Sequence, residues 1–340
     1  MARKFTSEHI AECRRIIRDG SKSFYFASLM LPTQVRMAAT ALYAFCRVTD
    51  DIADEGDATL KSIDALSDRL DRAYDRRPFD HPADCAFSEV VHHFGIPKEI
   101  PAALIEGYRW DIEERSCETL SDVIAYSARV AGTVGIMMSI VMGRRINTTL
   151  ARACDLGVSM QLINIARDVG EDARNGRIYL PREWMREAGI DPEEFLKHPE
   201  FSSELGSVVE RLLDVADEIY ERGMSGILNL PTSCHLGIRS AGMVYAEIGT
   251  KVRQNECNSV DTRAYTSKGR KLGLMLKSAS APFSALEADT SPALEEVQFL
   301  IDVAARDSDT AFGDGEWLLE LFAELEKRDQ AYLQTVRSGM

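Results

Sequence analysis

Gln34-Val-Arg-Met-Ala-Ala-Thr-Ala-Leu-Tyr-Ala-Phe-Cys-Arg-Val-Thr-Asp-Asp-Ile-Ala-Asp-Glu55 contains neither glycine nor proline. At ~1.5 Å per residue it predicts a helix about 30 Å long. Further long helix-like segments, each with internal glycines, cover 97–115, 119–145, 147–174, 203–229 and 234–255. Pro32, Pro78, Pro82, Pro97, Pro101, Pro181, Pro192, Pro199 and Pro231 fall at the breaks, where a missing N–H and a fixed φ do least harm. Strand-like alternation bounded by turn residues is nearly absent. The expected class is all-α.

At 340 residues the chain slightly exceeds the usual size of one core, and 45% hydrophobic residues are ample to fill it. One helical domain is expected over 1–280. Residues 281–340 are expected to form a linker and a C-terminal helical appendage packed on the same domain. The Ala/Ser/Pro-rich stretch 278–292 reads as the linker, and Trp317, Leu318, Leu321, Phe322 and Leu325 as the packing stripe of a last helix over 315–334.

A formal charge of −14 argues against nucleic acid as a partner. The seven cysteines are odd in number and form no CxxC pair, so they read as small core residues in a reducing compartment. The amphipathic N-terminus lacks the apolar centre of a signal peptide, and the apolar run 134–142 is too short to span a bilayer. A cytoplasmic protein is expected, at most peripheral on the cytoplasmic face of the membrane.

The opening helix ends in Arg47-Val-Thr-Asp50-Asp51-Ile-Ala-Asp54, and 161–174 repeats the device as Gln161-Leu-Ile-Asn164-Ile-Ala-Arg167-Asp168-Val-Gly-Glu171-Asp172-Ala-Arg174. In each, two aspartates four apart share a helical face at ~6 Å. Such like charges repel by roughly 3 kcal/mol at an effective dielectric of 20. A solvated helix face can carry one such pair. Two pairs, each beside apolar sequence and an arginine, point instead to a shared cation site. Oxygen donors without nearby Cys or His suit Mg²⁺, with Mn²⁺ as a substitute, and suit a diphosphate ligand. The six histidines form no HxxxH or HExxH pair for zinc.

These two stretches resemble the aspartate motifs of the squalene/phytoene synthase family, the head-to-head prenyl synthases. Ser21-Lys-Ser-Phe24 with Leu31-Pro32, Tyr126 with Val130-Ala-Gly-Thr-Val-Gly135, Gly176-Arg-Ile-Tyr-Leu-Pro181 and Arg263-Ala-Tyr-Thr-Ser-Lys-Gly-Arg-Lys271 extend the likeness over roughly 15–275. The details are most similar to the family's bacterial phytoene-forming branch. The resemblance implies an isoprenoid synthase fold around a central cavity. It also implies joining of two geranylgeranyl diphosphates through a cyclopropyl diphosphate, without nicotinamide, and hand-over of product to a downstream phytoene desaturase. Condensation of two farnesyl diphosphates is the alternative.

Carried over residue by residue, Asp50, Asp54, Asp168 and Asp172 hold Mg²⁺ with Asn164 beside them. Ser21, Arg47, Gln161, Asn164, Arg167 and Arg263 contact diphosphate, and Arg174 and Arg177 are expected to do so because they follow the second acidic cluster closely. Phe24, Tyr43, Tyr126 and Tyr245 face the reacting carbons. Trp110 and Asp111 are expected to be structural, and Tyr179 to be a packing residue at a position that in this family borders the site; Gly20 stands harmlessly where relatives often carry His. The glycines of 130–135 signal close helix packing, a kink, or both.

Overall fold

A computed structural model describes residues 7–54, 59–280 and 289–306. Glu55 and the helix expected over 315–334 lie outside these residues. The described elements are α1 (Ser7–Gly20), α2 (Lys22–Ser28), α3 (Thr33–Ala53), α4 (Leu60–Tyr74), α5 (Pro82–Phe94), α6 (Glu99–Ile112) and α7 (Leu120–Ser127). A π-helical turn (Ala128–Gly132) joins α7 to α8 (Thr133–Val141). There follow α9 (Asn147–Arg174), α10 (Arg182–Glu187), α11 (Pro192–Lys197), α12 (Ser203–Ser225), α13 (Thr232–Gln254), α14 (Lys268–Ser280) and α15 (Gln298–Arg306). No strand occurs among the described residues, and the all-α class holds.

Local chemistry sets the helix ends. Thr119 caps α7 by accepting from Asp122 N at 3.3 Å while the Asp122 carboxylate accepts from Thr119 N at 2.9 Å, a reciprocal box. Ser202 accepts from Leu205 N at the start of α12. Gly176, at φ 77°, turns the chain sharply after α9.

α9 is the spine, about 42 Å long at ~1.5 Å per residue, and it packs against α7, α8, α12, α13 and α15. Leu150, Cys154, Val158, Leu162, Ala166, Val169 and Ala173 form its buried stripe. Six of the seven cysteines are buried, Cys46 is half-buried, and all are free thiols.

The run expected over 119–145 is interrupted by the π turn and stops at Val141, with Gly143 at φ 73°. Two glycines fall where α8 meets α9. A Cβ on Gly135 would stand 2.1 Å from the Ala153 carbonyl oxygen, and one on Gly157 2.5 Å from that of Ala131. Both halves of the sequence expectation therefore hold: the helices pack backbone to backbone, and the helix is locally rewound. The apolar run 134–142 is part of a longer helical stretch, Leu120–Val141, which is long and apolar enough to cross a membrane by composition alone. Of its most apolar window 61% is buried inside the protein, as befits a core helix.

Residues 289–306 dock on the helical body. Val297, Leu300, Ile301 and Ala304 join the main core. Fully buried Arg152 on α9 binds Asp289, at 2.9 Å from its carboxylate, and the Ser291 and Pro292 carbonyls at 3.3 and 3.4 Å.

Candidate active site

A cavity of about 990 Å³ lies between α2, α3, α6, α8, α9 and α13, at the top of the usual ~300–1,000 Å³ range for ligand sites. Thr149 and Asp172, both on α9, both line it; roughly 35 Å of helix separates them. The end near Asp172 is charged. Towards Thr149 the walls are mostly apolar, with Leu31, Met138, Met142, Leu156 and Leu230 beside Thr149 and Arg152.

At the charged end, α3 presents Asp50 in its last turn and Asp54 at its C-cap, while α9 presents Asp168 and Asp172. Asp51 is not on the cavity wall; it pairs with Arg47 and is 54% exposed. Of the DDxxD pattern, then, only the first and last aspartates face inward. The two clusters meet: Arg177, which follows α9, donates to the Asp54 carboxylate on α3 at 3.3 Å. Arg47 donates to Asp50 at 3.3 Å. Asp168 accepts from Arg167 Nε at 2.7 Å and from Arg263 Nε and Nη2 at 2.7 and 3.1 Å.

Concentrating acids here is electrostatically costly and raises their carboxyl pKa values. Burial, reinforced by Asp54, pushes the Asp50 carboxyl up to about 6. Burial, reinforced by Asp168 and Glu171, pushes Asp172 up to about 8. Asn164 donates to Gln161 Oε1 at 3.3 Å but leaves its own buried Oδ1 without a hydrogen-bond partner. Four carboxylates beside an orphaned amide oxygen form an all-oxygen donor set that fits a hard divalent cation. Among the described residues no three acidic, His or Cys groups are gathered tightly enough to enclose an ion. Arginines hold Asp50, Asp54 and Asp168 instead.

Aromatic rings line the space next to the acids. Phe24 lies between Tyr43 and Tyr245, with ring centroids at 6.0 and 5.2 Å. Ser21 orients this group by capping α2, accepting from Phe24 N at 3.3 Å. A Cβ on Gly20 would approach the Tyr43 hydroxyl to 2.7 Å, so any side chain there must displace that ring. Tyr126 stacks on Tyr179 with centroids 4.9 Å apart. Burial pushes the Tyr245 phenol up to about 12 and the Tyr126 phenol far above its ordinary range. These rings are neutral at physiological pH, apolar faces without a phenolate nucleophile.

Asp111 is the site residue that sequence reasoning passed over. It lines the cavity from the last turn of α6 and accepts from Tyr179 at 2.6 Å and Tyr126 at 3.0 Å. Burial pushes its carboxyl up to about 6, against the pull of Tyr179 and Arg177. No local pattern marks it, because its partners come from other elements. Tyr179, expected as packing, is thereby part of the wall. Trp110 is a packing residue as expected, sandwiched under the guanidinium groups of Arg115 and Arg129 at 3.7 and 4.1 Å. Lys271, quoted in the sequence only as the end of the Arg263 motif, also lines the cavity. Every other expected site residue lines the cavity except Arg174. Arg174 is exposed and donates to the Val260 carbonyl at 3.1 Å.

Relatives sharpen this picture. A phytoene synthase of Rhodobacter capsulatus is 49% identical over 86% of this chain and 89% of its own length. One of Cereibacter sphaeroides is 46% identical over 95% of each chain. Among solved structures, a dehydrosqualene synthase in complex with a ligand superposes with a TM-score of 0.74 at 31% identity, over 80% of this chain and 96% of that one. A squalene synthase from Alicyclobacillus acidocaldarius shares the fold, with a TM-score of 0.66 at 23% identity over 74% of this chain and 95% of that one. A sequence model of squalene/phytoene synthase matches residues 17–270. With that match and those identities, the chain belongs to the squalene/phytoene synthase family.

Proposed function

We propose that this chain is a phytoene synthase: it joins two geranylgeranyl diphosphates C1 to C1 through a cyclopropyl diphosphate and releases two diphosphates. One observation carries the reading: aspartate pairs from two different helices face a single cavity whose other end is apolar and long. The C20 substrate is preferred over C15 because the relatives at 46–49% identity are phytoene synthases, whereas the dehydrosqualene synthase is 31% identical.

Asp50, Asp54, Asp168 and Asp172, with Asn164, would hold Mg²⁺ or Mn²⁺. Bound there, the metal neutralises diphosphate and makes it a good leaving group. The residues of the chain do the rest. Arg47, Arg167, Arg177 and Arg263 now sit on carboxylates, and each can turn its guanidinium to diphosphate oxygens, a geometry arginine matches well. Gln161 and Ser21 supply neutral polar contacts at the same end. Phe24, Tyr43, Tyr126 and Tyr245 offer ring faces to an allylic cation, worth up to ~2 kcal/mol when desolvated. Because the phenols stay protonated, they do not quench that cation. The apolar length of the cavity holds the tails and keeps water away.

Substrate tails and a C40 product are insoluble in water, so peripheral membrane contact and hand-over to a downstream phytoene desaturase belong to this reading. Purified chain with Mg²⁺ and geranylgeranyl diphosphate is expected to yield phytoene, and chelation by EDTA to stop it. Unreacted substrate alone, or a C30 product from farnesyl diphosphate at far higher efficiency, would overturn the assignment.

A further inference from the structure

Large exposed apolar side chains gather at one place. Phe26 and Leu29, on or just after α2, are 45% and 47% exposed, and Leu272 and Leu276 on α14 are 61% and 65% exposed. Both helices pack on α13. Met30, beyond α2, joins Leu274 and Met275 of α14 against Val244. Ser240 of α13 ties the group, reaching Met30 Sδ at 3.3 Å and Ser278 Oγ at 2.6 Å. Thus α14 is amphipathic with both faces apolar in part. Leu274, Met275 and Ser278 are buried, while Leu272 and Leu276, one turn apart, point outward.

The same helices line the cavity. Ser23, Phe24 and Ala27 of α2, Lys271 of α14 and Tyr265, 80% exposed, all contribute to its wall. Charge also sets this face apart. The chain carries −14 overall, yet Lys22, Lys271 and Lys277 lie on α2 and α14. Glu247 on α13 is already occupied by Arg270 of α14 at 2.8 and 2.9 Å.

We propose that the α2/α14 face docks on an anionic phospholipid bilayer, with Phe26, Leu29, Leu272 and Leu276 entering the acyl boundary and Lys22 and Lys277 meeting the headgroups. This rests on the isoprenoid reading in one respect: the face borders a cavity that water-insoluble tails must enter. Outward apolar residues rimmed by long-stemmed lysines are what an interfacial helix requires. A second copy of the chain fits less well, because symmetric pairing would bring the lysines of both copies together.

The test is co-sedimentation of the full-length chain with phosphatidylcholine vesicles, with and without phosphatidylglycerol. The expected result is binding that favours the anionic vesicles and weakens with salt. The double variant Leu272→Glu/Leu276→Glu should lower partitioning by about tenfold or more. Lys277→Glu should reduce the preference for anionic over neutral vesicles. Circular dichroism and turnover of detergent-dispersed substrate should stay unchanged in both, so loss of docking is distinguishable from loss of the reaction. Failure of the unmodified chain to sediment with either vesicle, or undiminished binding by the double variant, overturns the proposal. So does a dimer in light scattering that the double variant abolishes, which would assign the face to self-association.

Discussion

Gly135→Ala sets two known effects against each other. Helix propensity favours alanine over glycine inside α8 by ~1 kcal/mol. Packing opposes it: the new methyl would stand 2.1 Å from the Ala153 carbonyl oxygen and 2.8 Å from its carbon, against an ordinary contact near ~3.5 Å. The obstructing atoms are backbone of α9, so relief requires the two helices to part by about 1 Å. Overpacking typically costs ~1–3 kcal/mol, and more where backbone must yield. The balance is a loss of about 2 kcal/mol, or a fall of roughly 3–6 °C in Tm for a chain of this size. Gly273→Ala on α14 is the counterpart, because its Cβ would meet nothing within 4 Å and propensity acts alone. Calorimetry of both variants decides the matter. Gly273→Ala should hold or raise Tm while Gly135→Ala lowers it. If Gly135→Ala matches or exceeds the unmodified chain, the backbone-to-backbone seam is not as described. Gly135 and Ala153 also line the cavity, so reduced turnover should accompany the lost stability.

Asp50→Asn and Asp168→Asn should each lower turnover by roughly 10²–10³-fold or more with the helical circular dichroism spectrum intact; near-normal rates in both would remove the case for a shared cation site. Asp111 predicts a pH effect. Its folded carboxyl titrates at about 6 and its unfolded one near ~3.9, so the folded state binds the proton more tightly and stability rises as pH falls through that window. Between pH 7 and 5 the unmodified chain should gain ~1 kcal/mol relative to Asp111→Asn, read from denaturant midpoints at each pH.

Helix class and both acidic pairs could be read in advance because they are local. The run from Gln34 forms Thr33–Ala53, and spacing of four places Asp50 with Asp54 and Asp168 with Asp172 on shared faces. What spacing leaves open is set by contacts distant in sequence or by single backbone angles. Asp111 stands alone on α6, and only folding brings Tyr126 and Tyr179 to it. Arg174 and Arg177 read alike in sequence, yet the turn at Gly176 sends them to different places. Arg174 stays on the last helical turn facing the Val260 carbonyl, whereas Arg177, past the left-handed residue, reaches Asp54. The π turn at 128–132 was signalled by its glycines only as an irregularity, since apolar periodicity does not separate one widened turn from a regular one.

Arg152 ties the family-matched region, which ends at residue 270, to residues beyond it. The side chain lies on the cavity wall, and besides Asp155 it is held by Asp289, Ser291 and Pro292. Cutting the chain after residue 280 would strip a buried guanidinium of those partners and leave it Asp155 alone, a loss expected to stay below the ~3–5 kcal/mol of a fully broken buried pair. The stretch beyond the shared domain thus acts as masonry for the substrate chamber, and trimming it would damage the room from behind its wall.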